Sequence, residues 1–231
     1  EVGKPLGVFK AEVPQRTADG KIIVNPSTGL PIAQANMQTV GDMNNKYQMG
    51  FGTTIRYKTL SLSADLDVRR GGLMYSHTKN ITYFTGNAIQ TTYNSRSLFI
   101  IPNSVCAVTA ADGKTTTYVP NTTPLDETNY FNYFYAGGSD MGSGFLIDKS
   151  YVKLRSVVLT WELPKSWLAK TPFTTVRLSA FGNNLFVWTP SSNTFVDPEV
   201  TSFGNDLEGN FGEYLTNPSS RHFGFNLNVQ F

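Results

Sequence analysis

The chain has 231 residues, of which 40% are hydrophobic, 13% aromatic and only 16% charged. Soluble domains carry about 25% charged residues, and low charge combined with high aromatic content excludes a disordered chain and a coiled coil. A net charge of +2, with no basic run longer than Arg69-Arg70, argues against nucleic-acid binding. The longest uninterrupted hydrophobic runs are four residues, whereas a membrane-spanning helix needs about 20.

Alternation of apolar and polar residues, which is typical of β-strands with two different faces, recurs along the chain. The alternating segments are residues 47–57, 60–69, 151–163, 176–180 and 223–231, and a weaker sixth strand is predicted in residues 6–13. Within residues 151–163 the alternation slips by one position near Ser156, and this slip predicts a β-bulge.

The connections between these segments alternate in length. Lys58 and Thr59 form a tight turn, and residues 164–172 form a short link with one helical turn. Residues 72–144 and 189–220 are long connections rich in Asn, Thr, Ser, Gly and Pro, and we interpret them as loops. Short turns on one side and long loops on the other are typical of an outer-membrane β-barrel.

A soluble β-sandwich would also explain the alternation, but its strands are usually about 5–6 residues long. The long segments and unequal connections favour the barrel. Bacterial membrane barrels have at least about eight strands, and an open sheet in lipid leaves costly unpaired backbone groups. The sequence therefore predicts an all-β fold whose antiparallel strands form only part of a transmembrane β-barrel.

The order of several segments resembles the C-terminal region of the SusC/RagA family of TonB-dependent outer-membrane transporters. No single motif decides this, but their ordered combination is specific and extends over nearly the whole chain. The segments are VGKPLGVFKAEV (2–13), YQMGFGTTIRYKTLSLSADLDVRRGG (47–72), IIPNSV (100–105), LIDKSYVKLRSVVLTWELPKSW (146–167), VRLSAFGNNLFVWT (176–189), VDPEV (196–200) and SSRHFGFNLNVQF (219–231).

The resemblance implies that residues 1–231 are a C-terminal portion of a 22-stranded barrel, with long extracellular loops and short periplasmic turns. The plug domain and the N-terminal strands would lie outside this chain. The implied function is import of a glycan or peptide across the Gram-negative outer membrane. The implied partners are a SusD-like surface lipoprotein, the TonB complex through parts outside this chain, outer-membrane lipid, and the barrel assembly machinery, to which Phe231 would present an assembly signal.

Two alternatives stay open beside this reading. One is a soluble β-sandwich that acts as a carbohydrate-binding or adhesin module. The other is a siderophore or cobalamin receptor of the same barrel class.

The polar positions of the strands predict a wall that faces a wet lumen. Asp65 and Asp67 lie two apart on one strand face and would suit acid–base work or a cation, but we interpret them as part of this wall. The predicted lumen-facing residues are Arg56, Ser61, Ser63, Asp65, Asp67, Arg69, Arg177, Asn226 and Asn228.

An aromatic cluster in the first long connection is a candidate contact for a ligand or for a lid protein, although such residues more often anchor a loop on a barrel rim. Its members are Tyr130, Phe131, Tyr133, Phe134 and Tyr135. In the second long connection, Asp197 and Glu199 with Asp206 and Glu208 lack the spacing of a calcium loop, so we expect a solvated acidic loop.

The remaining motifs predict no catalytic residue, no metal site and no bound cofactor. His77 and His222 form no metal-binding pattern, and no Ser/His/Asp or Cys/His arrangement indicates an enzyme. The glycine-rich residues 137–144 lack the Lys-Ser/Thr of a phosphate loop, so a flexible loop is predicted there. The single Cys106 is expected to be an inert residue near a strand end.

Overall fold

The computed structural model describes residues 2–111, 113–193, 195–202 and 211–231. The strands in this part are β1 (Val8–Ala11), β2 (Ile22–Val24), β3 (Gln38–Asp42), β4 (Tyr47–Tyr57), β5 (Leu60–Arg70), β6 (Leu73–Ser76), β7 (Ser104–Thr109), β8 (Thr116–Pro120), β9 (Leu146–Asp148), β10 (Tyr151–Glu162), β11 (Thr175–Trp188), β12 (Gly212–Glu213) and β13 (His222–Gln230). The α-helices are α1 (His77–Phe84), α2 (Glu127–Tyr135) and α3 (Lys165–Leu168), and 3-10 turns lie at Ile89–Arg96 and Gly138–Phe145. No helix in the described ranges is long and apolar enough to cross a membrane.

The chain divides into two compact units. The sheet unit consists of Asn44–Gly72, Asp148–Val200 and Asn217–Phe231. The insert unit consists of Glu1–Met43, Leu73–Ile147 and Thr201–Thr216. Each unit therefore combines segments that are distant in sequence.

The sheet unit is built on one antiparallel sheet of five strands in the order β13-β11-β10-β5-β4. These are the five strands that the alternation predicts. β4 and β5 each have 11 residues, which corresponds to roughly 36 Å of extended chain. Within the described residues the sheet is open, because β4 and β13 are its outer strands, and neither barrel closure nor a count of 22 strands is seen there.

The short connections agree with the sequence prediction. Lys58, in the turn between β4 and β5, has a φ of 53°, the left-handed conformation that tight hairpin turns require. The link between β10 and β11 contains α3, a single helical turn whose Leu168 is buried. Trp167 of α3 meets Trp161 of β10 edge to face, with 5.7 Å between ring centroids.

The predicted bulge lies where the phase slips. β10 pairs regularly with β5 on both sides of Arg155, but Leu154 lies opposite Leu66 and Ser156 opposite Asp65, so Arg155 is an extra residue. The extra residue places Arg155 and Ser156 on the same side of the sheet, and the alternation then resumes in register.

One face of the five-stranded sheet is apolar and exposed. Residues directly opposite one another on neighbouring strands share a face, and four rows of apolar side chains cross the sheet in this way. The rows are Tyr57–Leu60–Trp161–Leu178–Leu227, Ile55–Leu62–Leu159–Ala180–Phe225, Phe51–Leu66–Leu154–Phe186 and Met49–Val68–Val152–Trp188. Phe225 is 83% exposed and Ile55 63% exposed, whereas the inner face of a soluble sandwich would be covered.

The insert unit has a core of its own. Helix α2 contributes Tyr130, Tyr133 and Phe134, which pack with residues of the sheet β2-β7-β8 and of the segment before β7. The core residues are Ile22, Val24, Phe99, Ile101, Cys106, Leu125, Tyr130, Tyr133 and Phe134. Strands of this unit also form two further small sheets, β1-β3 and β12-β6-β9. The last residue of β9, Asp148, is already part of the sheet unit.

The first long connection, interpreted as a loop, contains regular secondary structure. Residues 72–144 contain three strands and two helices around the core just described. The predicted sixth strand exists as β1, but it pairs with β3 and does not join the five-stranded sheet. The alternation gave no sign of this unit because its strands have only two to six residues.

Candidate functional site: the polar face of the five-stranded sheet

The polar positions of the five strands lie together on the face opposite the apolar rows. Arg56, Ser61, Thr160, Ser179 and Asn226 lie directly opposite one another across all five strands. The next row contains Glu162, Arg177 and Asn228. Both rows line a shallow depression of about 540 Å³ near the short turns. Five of the predicted wall residues are thus neighbours, namely Arg56, Ser61, Arg177, Asn226 and Asn228.

Hydrogen bonds between adjacent strands fix the side chains of this face. The hydroxyl oxygens of Thr54 and Ser63 lie 2.9 Å apart, and those of Thr160 and Ser179 lie 2.8 Å apart. Near the turn end, the Arg177 Nε donates to the Glu162 carboxylate at 2.9 Å. Each of these hydroxyl groups can form further hydrogen bonds, which suits a hydrated wall.

Asp65 and Asp67, the paired carboxylates on β5, do not form an acid–base pair. Asp65 accepts a hydrogen bond from the Ser156 hydroxyl at 2.6 Å. Asp67 accepts hydrogen bonds from the Arg155 guanidinium at 2.5 Å and from the Tyr151 hydroxyl at 3.0 Å. Each carboxylate therefore has its own partner, so the two do not act as a unit.

A cluster of buried charges holds part of the second long connection against β10. The Lys153 side chain is 3% exposed, and its Nζ lies 2.7 Å from Asp197 and 2.6 Å from Glu199. The Arg155 guanidinium bridges Glu199 and Asp67. We call these five residues the charge clamp. Arg155, the extra residue of the bulge, supplies the second cation of this cluster.

The charge clamp keeps both loop carboxylates ionised. Hydrogen bonds from Arg155 and then Lys153 outweigh burial and lower the pKa of Glu199 to about 2. For Asp197, burial acts to raise the pKa, but hydrogen bonds from Lys153 and Ser219 outweigh it and the pKa is lowered. The expectation of a solvated acidic loop is therefore wrong for Asp197, which is 5% exposed. Asp206 and Glu208 lie outside the described residues.

Arg69, another predicted wall residue, lies over the ring of Tyr151, with 4.9 Å from its guanidinium carbon to the ring centroid. Next to β10, burial and, to a smaller extent, the charge of Arg69 together lower the pKa of Lys149 to about 8. The long-loop end of this face is therefore rich in cations that aromatic and acidic groups compensate.

The aromatic cluster is helical and mostly buried. Tyr130, Tyr133 and Phe134 lie in the core of the insert unit, where Tyr133 and Phe134 also line a depression of about 410 Å³. Phe131 and Tyr135 lie on the other side of α2 and are 65% and 56% exposed. Contact with a ligand or a lid protein stays a prediction for this cluster, and Phe131 and Tyr135 are its exposed members.

Other predicted features have structural partners. The His77 ring stacks on Tyr214 with centroids 5.3 Å apart, and His222 Nε2 lies 2.8 Å from the Ser220 hydroxyl. No group of three metal-ligating residues is found within the described ranges. Residues 138–145 form two 3-10 turns instead of an irregular loop, and Cys106 is buried within β7, with its Sγ 3.8 Å from Asn121 Oδ1.

Phe231, the predicted assembly signal, follows β13 and is 83% exposed. Its ring meets Phe173 edge to face at 5.2 Å. The backbone oxygen of Phe231 accepts a hydrogen bond from the Thr174 hydroxyl at 3.4 Å. The end of the last strand is thus held beside the start of β11.

Sequence reasoning missed the cations of the charge clamp and a buried carboxylate in the insert unit. Lys153 and Arg155 lie on a strand, and next to a bulge, that the sequence predicts. The slip in the alternation was the signal that could have pointed to these two cations. Glu213 is 1% exposed and accepts hydrogen bonds from the Ser76 hydroxyl and from the amide and hydroxyl of Thr78. No local pattern links Glu213 to the start of α1, because more than 130 residues separate them.

Comparison with known proteins identifies the class of protein to which this arrangement is similar. No family model matches the chain. TonB-dependent receptor P3 of Formosa agariphila is 27% identical over 217 residues, covering 92% of this chain and 19% of the relative. TonB-dependent receptor P26 of the same organism is 22% identical over 185 residues, covering 79% of this chain and 16% of the relative.

Solved structures share the fold of the whole chain. The RagAB peptide importer in the "open-open" state matches with a TM-score of 0.61 and 18% identity, covering 100% of this chain and 23% of that one. The "closed-closed" state of the same importer matches with a TM-score of 0.61 and 19% identity. The resemblance to TonB-dependent transporters is confirmed, and the chain spans about a fifth of the length of these relatives.

Proposed function

We propose that this chain forms part of the barrel wall of a TonB-dependent nutrient importer in the Gram-negative outer membrane. The observation that carries the proposal is the exposed apolar face of the five-stranded sheet. Four rows of apolar side chains cross strands of 9 to 14 residues without cover. In water such a face is a large liability, whereas in lipid it is the expected outer surface of a barrel.

The opposite face supports transport of a polar cargo. Its hydroxyl, amide and charged side chains would line a hydrated lumen, as in large barrels of this class. We propose a glycan or a peptide as the cargo. The similarity to a peptide importer supports a peptide, and the SusC-like order of segments equally supports a glycan. A siderophore or cobalamin cargo is the alternative, and it would be favoured if neither probe of the uptake experiment below were imported.

The two outer strands of the sheet indicate that it forms only part of a barrel wall. β4 and β13 each have one neighbour, and an unpaired strand edge in lipid costs several kcal/mol per unsatisfied group. We propose that both edges pair with further strands of a longer chain of the 22-stranded class. The plug and the parts that contact the TonB complex would lie in that longer chain.

Two contacts outside the sheet complete the proposal. Phe131 and Tyr135, exposed on α2, are the candidate contacts for a SusD-like surface lipoprotein. Phe231 is the candidate signal for the barrel assembly machinery. Neither contact involves catalysis, and we propose that the chain is not part of an enzyme.

The proposal is tested with the full-length protein that carries this chain, expressed with its own leader and followed by cell fractionation. We expect it in the outer membrane, extractable only with detergent, and migrating faster on gels before boiling than after, as folded barrels do. Uptake of labelled oligosaccharides and oligopeptides should depend on TonB. A full-length protein that is monomeric in buffer without detergent would overturn the proposal.

A further inference from the structure

We propose that the long-loop end of the apolar face contains a binding site for a phosphate-bearing lipid, with Arg70 holding the phosphate. This inference rests on the proposed function, because it needs the apolar face to lie in a membrane. The site is a depression of about 580 Å³ within the sheet unit. The residues that carry the argument are Tyr47, Val68, Arg70, Ser150, Val152 and Trp188.

These residues come from one end of four neighbouring strands. Tyr47 begins β4, Arg70 ends β5, Val152 is near the start of β10, and Trp188 ends β11. Val68, Val152 and Trp188 belong to the last apolar row. The depression therefore begins where the apolar face ends.

Arg70 provides a positive charge that the described residues do not neutralise. Its side chain is exposed, and it makes no ion pair with any residue in the described part of the chain. Among the residues that the structure describes, no carboxylate lines the depression. By alternation, Arg70 lies on the same face as Val68, at the level where lipid head groups would meet the barrel.

Neighbouring groups suit a phosphate head group and its acyl chain. The Ser150 hydroxyl accepts a hydrogen bond from the Gly71 amide at 2.8 Å, which keeps its oxygen at the wall of the depression. Aromatic side chains at this level are typical of the membrane interface. Trp188 stacks on Phe186 at 5.6 Å, and the Arg221 guanidinium lies 5.6 Å from the Phe186 ring centroid.

The shape of the site favours a lipid over a free anion. A guanidinium binds phosphate well because its fork of N–H groups matches the phosphate oxygens. On its own, an exposed arginine binds inorganic phosphate weakly, since water screens the charge. Here the depression continues into the exposed apolar rows, so an acyl chain attached to the phosphate gains burial along Val68 and Val152.

The experiment uses the full-length protein, folded and purified in a neutral detergent, and native mass spectrometry to count bound ligands. Three probes are compared: dioleoyl phosphatidic acid, dioleoylglycerol with the same chains but no phosphate, and inorganic phosphate. We expect phosphatidic acid to bind, and the other two to bind about tenfold more weakly or less, as expected for losing a charge-assisted hydrogen bond or the chain burial.

Variants test the assignment of Arg70. Arg70→Gln should weaken phosphatidic acid binding about tenfold, whereas Arg70→Lys, which keeps the charge, should weaken it by no more than about threefold. Arg56→Gln removes an exposed arginine from the opposite face and should leave binding unchanged. The difference between gel mobilities before and after boiling verifies that each variant is folded.

Three outcomes would overturn the inference. Equal binding of dioleoylglycerol would mean that the site recognises only chains, and equal binding of inorganic phosphate would mean that it recognises a free anion. Arg70→Gln with unchanged binding would place the phosphate elsewhere. Each of these three outcomes is measured on protein that is folded in detergent, so none of them contradicts the proposed function. A full-length protein that never enters a membrane would contradict the proposed function instead.

Discussion

Lys153 has its ammonium group almost completely buried between a strand and a loop, with a carboxylate on each side at 2.6–2.7 Å. Such an arrangement adds little net stability, because desolvation of the charges offsets much of their attraction. Removing one partner is costly, since the remaining charge then stays buried without compensation. The charge clamp therefore acts mainly to fix where residues 196–200 lie.

Acid should release this segment in a defined range of pH. The pKa of Glu199 is lowered to about 2 by Arg155 and Lys153. A lowered pKa means that the stabilisation is fully present above the ordinary glutamate pKa and is lost as the pH falls towards about 2. We expect hydrogen-exchange protection of residues 196–200, corrected for intrinsic rates, to be constant from neutral pH to about 5 and to decline below about 4.

Two glutamate variants separate this effect from general acid sensitivity. Glu199→Gln should reduce the protection at neutral pH and flatten its dependence on pH. Glu162→Gln removes a half-exposed ion pair with Arg177 at 2.9 Å and should leave the segment unchanged. Protection that declines in the same way in wild type and Glu199→Gln would contradict the role assigned to Glu199.

Leu66 and Ser63 test which face of β5 meets lipid. Leu66 lies in the middle of the strand on the apolar face, and Leu66→Arg should cost about 2–4 kcal/mol of folding free energy near the bilayer midplane. Ser63→Arg, on the polar face, should cost well under half of that, because a lumen is hydrated. Folding titrations of the full-length protein into lipid vesicles give both values, and equal costs would refute the facing of β5.

At the scale of elements, the bulge in β10 keeps two faces distinct along a 12-residue strand. Deleting Arg155 removes the extra residue, so residues 157–162 stay on their faces. Deleting Arg155 and Ser156 together instead turns Leu159 and Trp161 towards the polar side. We expect the first deletion to yield folded protein in the outer membrane and the second to yield almost none, as judged by gel mobility before boiling. Equal yields would show that β10 does not have two distinct faces.

The same strand shows what a sequence can and cannot reveal about an element. Alternation is a local property, so the apolar positions of β10 were sufficient to predict the strand and its bulge. These positions are Val152, Leu154, Val157 and Leu159. The partners of Lys153 were not visible, since Asp197 is 44 residues away and contact at that distance depends on how the connection folds. Helix α2 was missed for another reason: its aromatic residues are enriched in strands, so they do not indicate a helix.

At the scale of the molecule, the isolated 231-residue chain should not be stable in water. It exposes an apolar face and two strand edges, which promote association. We expect the refolded chain to aggregate in buffer and to remain dispersed only in detergent, as measured by light scattering at equal protein concentration. The full-length protein in detergent is the control, and a dispersed, cooperatively folding chain in buffer would favour the soluble sandwich.

The division of the chain into two units was the largest feature that sequence reasoning did not find. The sheet unit follows from alternation in strands of at least nine residues. The core of the insert unit joins Val24, Phe99 and Leu125, which come from separate segments with no shared period. In the candidate site, the wall residues followed from strand facing, whereas the charge clamp required the fold.

The pairing of β6 with β9 has a consequence for the order in which the chain folds. β5 and β10 are neighbours in the sheet although 80 residues lie between Arg70 and Tyr151. Closing a flexible loop of that length costs about 4 kcal/mol of chain entropy. β6 and β9, which flank the insert, are hydrogen-bonded neighbours, and the Lys149 amide donates to the Gly72 oxygen at 2.9 Å. Once the insert has folded, β5 and β10 therefore meet as the arms of a hairpin, and the slow search for a distant partner is avoided.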